Sequence, residues 1–138
     1  MPVTLDTSEV HLLAADLRRG ADETYDKAEV IVTKVAYDIN ASAQHNLDAN
    51  GSVDTGHLKN SVGVDVNGPH AIIGPTAAYG GFVEKGTEGP YPIPNAFGWG
   101  ITVMHPGNDP KPYLAPAADL HEPRLIHAIE QLGESILR

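Results

Sequence analysis

The chain has 138 residues, no cysteine and a formal net charge of −9, from 18 acidic and 9 basic residues. The length predicts one domain over residues 1–138, and the lack of cysteine excludes disulfides, thiolate zinc sites and a thiol nucleophile. The basic residues are scattered along the chain, which argues against tight nucleic-acid binding. No run approaches the ~20 apolar residues of a membrane helix. The first residues lack the positive charge of a secretory signal. We therefore expect a soluble, unprocessed protein without a membrane partner.

The first fifty residues have the spacing of helices. Ser8 is a candidate N-cap, and an apolar stripe follows it. Gly20 is a natural end for this helix, after which Asp22 either caps a second helix or lies in a kinked continuation of the first. A core-facing stripe then fades near Leu47, before Asn50–Gly51. The two stripes consist of Val10, Leu13, Ala14 and Leu17, and of Tyr25, Ala28, Val32, Val35, Ile39 and Ala43.

The middle of the chain predicts short strands. Alternating valines in Val62–Val66 have the period of a strand, and Asn67–Gly68 is a strong hairpin signal. Ala71–Ile73 is the expected return strand. We expect a third strand over Tyr79–Glu84 and a fourth over Ile101–Met104.

Residues 86–100 are predicted to form a long extended loop rather than a strand. Pro90, Pro92 and Pro94 occupy alternate positions there, and proline cannot donate to a sheet ladder. Six of the eight aromatic residues lie in or near this segment, and two interpretations are open: the rings form a protein interface, or they fold back over the sheet. These residues are Tyr79, Phe82, Tyr91, Phe97, Trp99 and Tyr113, of which the first five are the candidate interface residues.

A C-terminal helix is predicted from about Pro116, which fits the first helical position. Its apolar positions are Ala118, Leu125, Ile129, Leu132 and Ile136. Pro123 either kinks this helix or marks its true start.

No motif in the sequence carries a reaction. The seven histidines lack the spacing of metal ligands, and no serine lies in a nucleophile motif. Residues 80–86 are rich in glycine but lack the pattern of a phosphate loop, so their glycines more simply shape a bulge or an edge strand. We expect no catalytic residue, no metal and no cofactor, and hence no enzyme.

Three segments in order resemble a known family. Asp54–Ser61, in which Asp54 or Thr55 is a candidate cap for a turn that carries Leu58 inward, is similar to the family pattern T-G-x-L-x-x-S. Tyr79–Thr87 is similar to Y-x-x-(F/Y)-V-E-x-G-T, and Pro112–Ala117 to P-(F/Y)-L-x-P-A. The matching residues are Thr55, Gly56, Leu58, Ser61, Glu84, Gly86, Thr87, Pro112, Tyr113, Leu114 and Pro116. The family is that of the siphophage neck, head–tail connector or tail-completion proteins, also called tail components. The resemblance covers residues from about 21 to 138, while the proline-rich residues 89–100 and Pro123 have no counterpart in it.

The resemblance implies an α+β fold, in which a long N-terminal helix and a C-terminal helix pack on a small antiparallel sheet. It implies a structural virion protein of the neck or tail, assembled in the host cytoplasm. Its subunits would form a six- or twelve-fold homomeric ring between the head-side connector and the tail terminator or tail tube. Genomic DNA would pass the lumen without specific binding, which suits an acidic lining. From the residues alone, a soluble adaptor or antitoxin-like binding module stays open, as does a small metal-dependent hydrolase.

Overall fold

The computed structural model describes residues 6–53, 56–96 and 98–137, and its fold class is α+β as predicted. Helix α1 spans Ser8–Ala49, and the short helix α2 spans His57–Ser61. Strands β1 (Val62–Asn67) and β2 (His70–Pro75) follow, and then helix α3 (Gly80–Lys85). Strands β3 (Tyr91–Ala96) and β4 (Ile101–His105) precede the last helix, α4 (Leu114–Ile136). No helix in this described part is long and apolar enough to cross a membrane.

Helix α1 is continuous, so of the two interpretations at Gly20 the continuation of the helix is confirmed and the break is wrong. A glycine in a helix interior costs only about 1 kcal/mol and keeps its backbone hydrogen-bonding groups. Thr24 Oγ1 also donates to the carbonyl oxygen of Gly20 at 2.6 Å. The predicted cap is displaced as well: Thr7 is the N-cap, while Ser8 is the first helical residue and donates its N–H to Asp6 Oδ1 at 2.9 Å.

Helices α1 and α4 pack against each other in antiparallel directions. Ser42 lies opposite His121 with Oγ and Nε2 2.8 Å apart, and Ile31 shares a groove with Ala128 and Leu132 further along α4. The buried core lies where α1, α2, β1 and α4 meet. It contains Ala43, Leu47, Leu58, Val62, Tyr113 and Ala117.

Helix α4 begins at Leu114 and continues through Pro123. Of the two interpretations of Pro123, the helix start is therefore wrong. Pro116 is the third helical residue rather than the first. Because the first four N–H groups of a helix have no partner within it, proline costs no internal hydrogen bond at that position either.

The β1–β2 hairpin confirms the prediction from alternating valines. The strands pair antiparallel from Val62 opposite Pro75 to Asn67 opposite His70, and Gly68 in the turn has φ of 57°. α2 precedes this hairpin and buries Leu58, as expected. Gly56 is its N-cap, with φ of 78°, while the candidate caps Asp54 and Thr55 lie outside the described residues.

The segment predicted as a third strand is the helix α3. Helical spacing places Gly80, Val83 and Glu84 on the side of α3 that meets the start of α4, where Lys111 N–H donates to the carbonyl oxygen of Val83 at 2.8 Å. A strand would send Val83 and Glu84 to opposite faces. The contacts with residues about 30 positions away therefore favour the helix.

The predicted loop over residues 86–100 contains a strand. β3 pairs antiparallel with β4, the predicted fourth strand, with Tyr91 opposite His105 and Ile93 opposite Val103. Register shifts between Ile93 and Ala96, so that Pro94 lies in a bulge. Proline is tolerated at bulges and where its missing N–H faces away from the partner strand. The alternate prolines therefore mark an edge strand.

Candidate functional site: a motif junction and an aromatic groove

The carboxylate of Glu84 caps the N-terminus of α4. Its Oε2 accepts the N–H of Tyr113 at 2.8 Å and of Leu114 at 2.9 Å, and its Oε1 accepts the N–H of Ala115 at 3.0 Å. The next residue is Pro116, which has no N–H. All four donors that a helix start normally leaves unpaired are thus satisfied or absent. The negative charge also lies at the positive end of the helix dipole.

We call the contact between Glu84 of α3 and the start of α4 the motif junction. Tyr113 packs into this junction from the α4 side. Its ring is fully buried, and its hydroxyl donates to the carbonyl oxygen of Gly80 at 3.2 Å. A Cβ atom at Gly80 would lie 2.9 Å from that hydroxyl oxygen and collide with the ring of Pro75, so only glycine fits there. Burial, and then the charge of Glu84, raise the pKa of Tyr113 above its usual value of 10.0.

The remaining motif residues close the turns around the junction. Ser61 Oγ donates to the carbonyl oxygen of Leu58 at 2.8 Å and accepts the N–H of Ala77 at 3.3 Å. Thr87 N–H donates to the carbonyl oxygen of Asn108 at 2.9 Å, and Asn108 N–H returns a bond of 3.2 Å. Gly86 has φ of 73°, and a Cβ there would lie 2.6 Å from the Asn108 oxygen.

An aromatic groove of about 890 Å³ lies beside the junction. Three of the five candidate interface residues line it: Tyr79 before α3, Phe82 on α3 and Tyr91 at the start of β3. Phe82 is 61% exposed, and all three rings face solvent at least in part. This exposure is compatible with the interface interpretation for these three rings, whereas the ring of Tyr113 is buried. Polar side chains at the groove include Glu88, Asp109 and Lys111.

Of the other two candidate interface residues, Trp99 is not among the residues that line the groove. Trp99 lies in the turn between β3 and β4 and is 74% exposed. Phe97 falls outside the described residues. The candidate interface is therefore divided between the groove and the far end of the hairpin.

The family model described as bacteriophage HK97-gp10, putative tail-component, matches residues 13–86, which is more than half of the chain. The chain belongs to this HK97-gp10-like family. The resemblance stated from the motifs is thereby confirmed, and the chain is a structural component of a phage tail or neck. Such families are typically non-enzymatic and associate with other virion proteins. The searches of curated proteins and of solved structures found no match.

The match to the HK97-gp10-like family ends at Gly86, just after the capping residue Glu84. Glu84 lies inside the matched segment, whereas the α4 residues that it caps lie outside it. The motif residues that the structure describes serve packing and hydrogen bonding, apart from Pro112 and Pro116, which are both exposed. Sequence reasoning named Glu84 as a motif residue but missed its role, because no local signal points to an acceptor that caps a helix 30 residues away.

The β3–β4 hairpin lies beyond the matched segment and has an unusual composition. Residues 91–105 contain no Asp, Glu, Lys or Arg, although 20% of the whole chain is charged. Val103 and Met104 on β4 are nevertheless exposed. Depletion of charge together with aromatic residues and methionine is typical of the core of a protein interface. The lack of charge was present in the sequence and was missed because only the prolines and the aromatic residues of this segment were considered.

The described residues contain no group of three or more His, Cys, Asp or Glu side chains that could hold a metal ion. His121 is the buried histidine, and it is hydrogen-bonded to Ser42.

Proposed function

We propose that this family member is a subunit of a homomeric ring in the phage neck, which joins the head-side connector to the tail terminator or tail tube. The observation that carries the proposal is the uncharged, exposed hairpin beside an aromatic groove, in a chain whose net charge is −9. Copies of so acidic a chain repel one another through their net charge. A stable assembly therefore needs surfaces such as these, where apolar contact is made without facing like charges.

A ring built from one kind of subunit needs two unlike surfaces, because each copy contacts the next head to tail. The groove lined by Tyr79, Phe82 and Tyr91 supplies one such surface. The N-terminal part of α1 supplies a second, since Val10 and Leu17 of its apolar stripe are both exposed. Trp99 at the hairpin end, which is exposed, would contact an adjacent subunit or the next ring.

The acidic charge supports passage of DNA through the lumen. A wall that repels phosphates holds the strand away from the protein and allows it to move without specific binding. The geometry of the described residues does not support the alternative of an adaptor or antitoxin-like binding module. The family match favours the virion role.

The test replaces residues 91–105 by a short Gly-Ser linker, which keeps the Thr87–Asn108 pair at the base of the hairpin. The purified variant should fold but should fail to join heads to tails in an in vitro assembly reaction. Ile72→Ser, at an exposed apolar position of the β1–β2 hairpin, is the matched control and should assemble normally. Full joining activity of the hairpin variant would reject the proposal, as would electron microscopy that places the subunit outside the neck.

A further inference from the structure

The two edges of the β3–β4 hairpin differ in what they offer to another strand. Pro92 lies opposite Met104, and it has no N–H to exchange. Pairs in an antiparallel ladder alternate between those that exchange hydrogen bonds and those that do not, so Pro92–Met104 belongs to the second kind. The neighbouring pair Ile93–Val103 then belongs to the first kind. It follows that the N–H and C=O groups of Thr102 and Met104 point away from β3.

The outer edge of β3 is protected against further pairing, and the outer edge of β4 is not. Pro92 removes an outward donor from β3, and Pro94 lies in the bulge. Proline, bulges and charged side chains are the devices by which proteins block an edge strand. β4, with the sequence Ile-Thr-Val-Met-His, has none of them, and Ile101 and Met104 are 47% and 57% exposed.

A second copy of β4 is the partner that this edge fits. If two copies of β4 pair antiparallel with Val103 at the centre, Thr102 of each copy lies opposite Met104 of the other. The outward N–H and C=O groups of these two residues then exchange hydrogen bonds. No charged side chain is repelled, which matters for two chains of −9 each. An isolated two-stranded hairpin is marginally stable, whereas four strands form a more stable sheet.

We propose that β4 pairs antiparallel with β4 of a second copy, with Val103 on the two-fold axis. The resulting sheet has the order β3–β4–β4–β3. Both of its outer edges are β3 edges that carry Pro92, so pairing stops at two copies. This contact is two-fold, whereas the proposed ring is built from head-to-tail contacts, and the inference therefore does not depend on the ring. A five-residue edge buries less than the roughly 1,200 Å² that separates stable from transient interfaces, so the dimer should depend on concentration.

The first test is Val103→Cys in the full chain, which has no other cysteine. Residues in a pair without hydrogen bonds have Cα atoms about 4.5 Å apart, within the range of a disulfide. Mild oxidation should convert most of this variant to a covalent dimer on a non-reducing gel. Asp65→Cys, on the exposed side of β1, is the control and should stay monomeric. A Val103→Cys protein that crosslinks no better than this control overturns the proposal.

The second test separates the outer edge from the hairpin itself. Met104→Pro removes an outward N–H and leaves the ladder with β3 intact, so the circular dichroism spectrum should not change. In the Val103→Cys background it should lower the crosslinking yield at least tenfold, whereas Met104→Ala should retain it. Thr102→Pro removes the other outward N–H and replaces Met104→Pro in this test if Met104→Pro does not fold. Unchanged crosslinking in a folded proline variant rejects the strand pairing, and head–tail joining by the same proteins tests the ring separately.

Discussion

Glu84→Ala should be among the most destabilising changes at the motif junction. The substitution removes the acceptor of three backbone N–H groups at the start of α4, at distances of 2.8, 2.9 and 3.0 Å. Water can reach the exposed Ala115 N–H, but Tyr113 is buried and its N–H would stay without a partner. Loss of a helix cap costs about 0.5–2 kcal/mol, and an unsatisfied buried donor adds about 1–3 kcal/mol. We therefore expect the free energy of unfolding to fall by about 2–4 kcal/mol.

Urea denaturation followed by circular dichroism at 222 nm measures this loss. At an m value of about 1.5 kcal/mol/M, the midpoint should fall by about 1.3–2.7 M. Glu84→Gln keeps one acceptor oxygen without the charge, so its loss should be about half as large. Glu88→Ala removes a nearby exposed acid and should change stability by less than about 0.5 kcal/mol. Equal midpoints for Glu84→Ala and Glu88→Ala would refute the capping role.

Three further predictions concern the same junction and the α1–α4 contact. Gly80→Ala should cost about 1–3 kcal/mol in a urea titration, because its Cβ would lie 2.9 Å from the Tyr113 hydroxyl oxygen, whereas Gly81→Ala, with open space around it, should stabilise α3 by up to about 1 kcal/mol. Since burial raises the pKa of Tyr113, the contribution of this side chain to the free energy of unfolding is fully present below pH 10.0 and is lost as pH rises through the folded-state pKa. Urea midpoints from pH 8 to 11 should therefore fall more for the wild type than for Tyr113→Phe. Ser42→Ala should cost about 1–3 kcal/mol because it removes the hydrogen-bond partner of the buried His121, and Ser42→Ala combined with His121→Leu should cost less than the sum of the two single changes in a double-mutant cycle.

Local signals predicted the parts of the fold that depend on neighbouring residues. The β1–β2 hairpin follows from alternating valines and Asn67–Gly68, and the end of α1 follows from Asn50–Gly51. α3 could not be predicted in this way, because six residues are too short for a clear helical period. Its decisive contact joins Glu84 to residues of α4 about 30 positions later.

The candidate interface was predicted by residue type but not by arrangement. Two interpretations were open for the rings of residues 79–113: Tyr79, Phe82 and Tyr91 line an open groove, whereas Tyr113 is buried. The strand β3 was missed because the prolines were taken to exclude any ladder. Whether a proline disrupts a ladder depends on its position relative to the partner strand. The N–H that Pro92 lacks would face away from β4, so this proline blocks only further pairing at the outer edge of β3.

The motif junction stabilises the fold, whereas the β3–β4 hairpin is proposed to contact other subunits. We therefore expect that the hairpin can be replaced without loss of stability. Residues 91–105 are anchored at their base by the Thr87–Asn108 pair and by the bond from Lys111 to Val83, and the main core cluster contains none of them, although Ala96 is buried. Replacing them by a Gly-Ser linker should therefore change the free energy of unfolding by less than about 1 kcal/mol, since the core cluster keeps all of its residues and the one buried side chain that is lost is an alanine. The same replacement should abolish assembly. Urea denaturation of the purified variant measures the first effect, and a loss as large as that of Glu84→Ala would show that the hairpin is part of the fold rather than an arm carried by it.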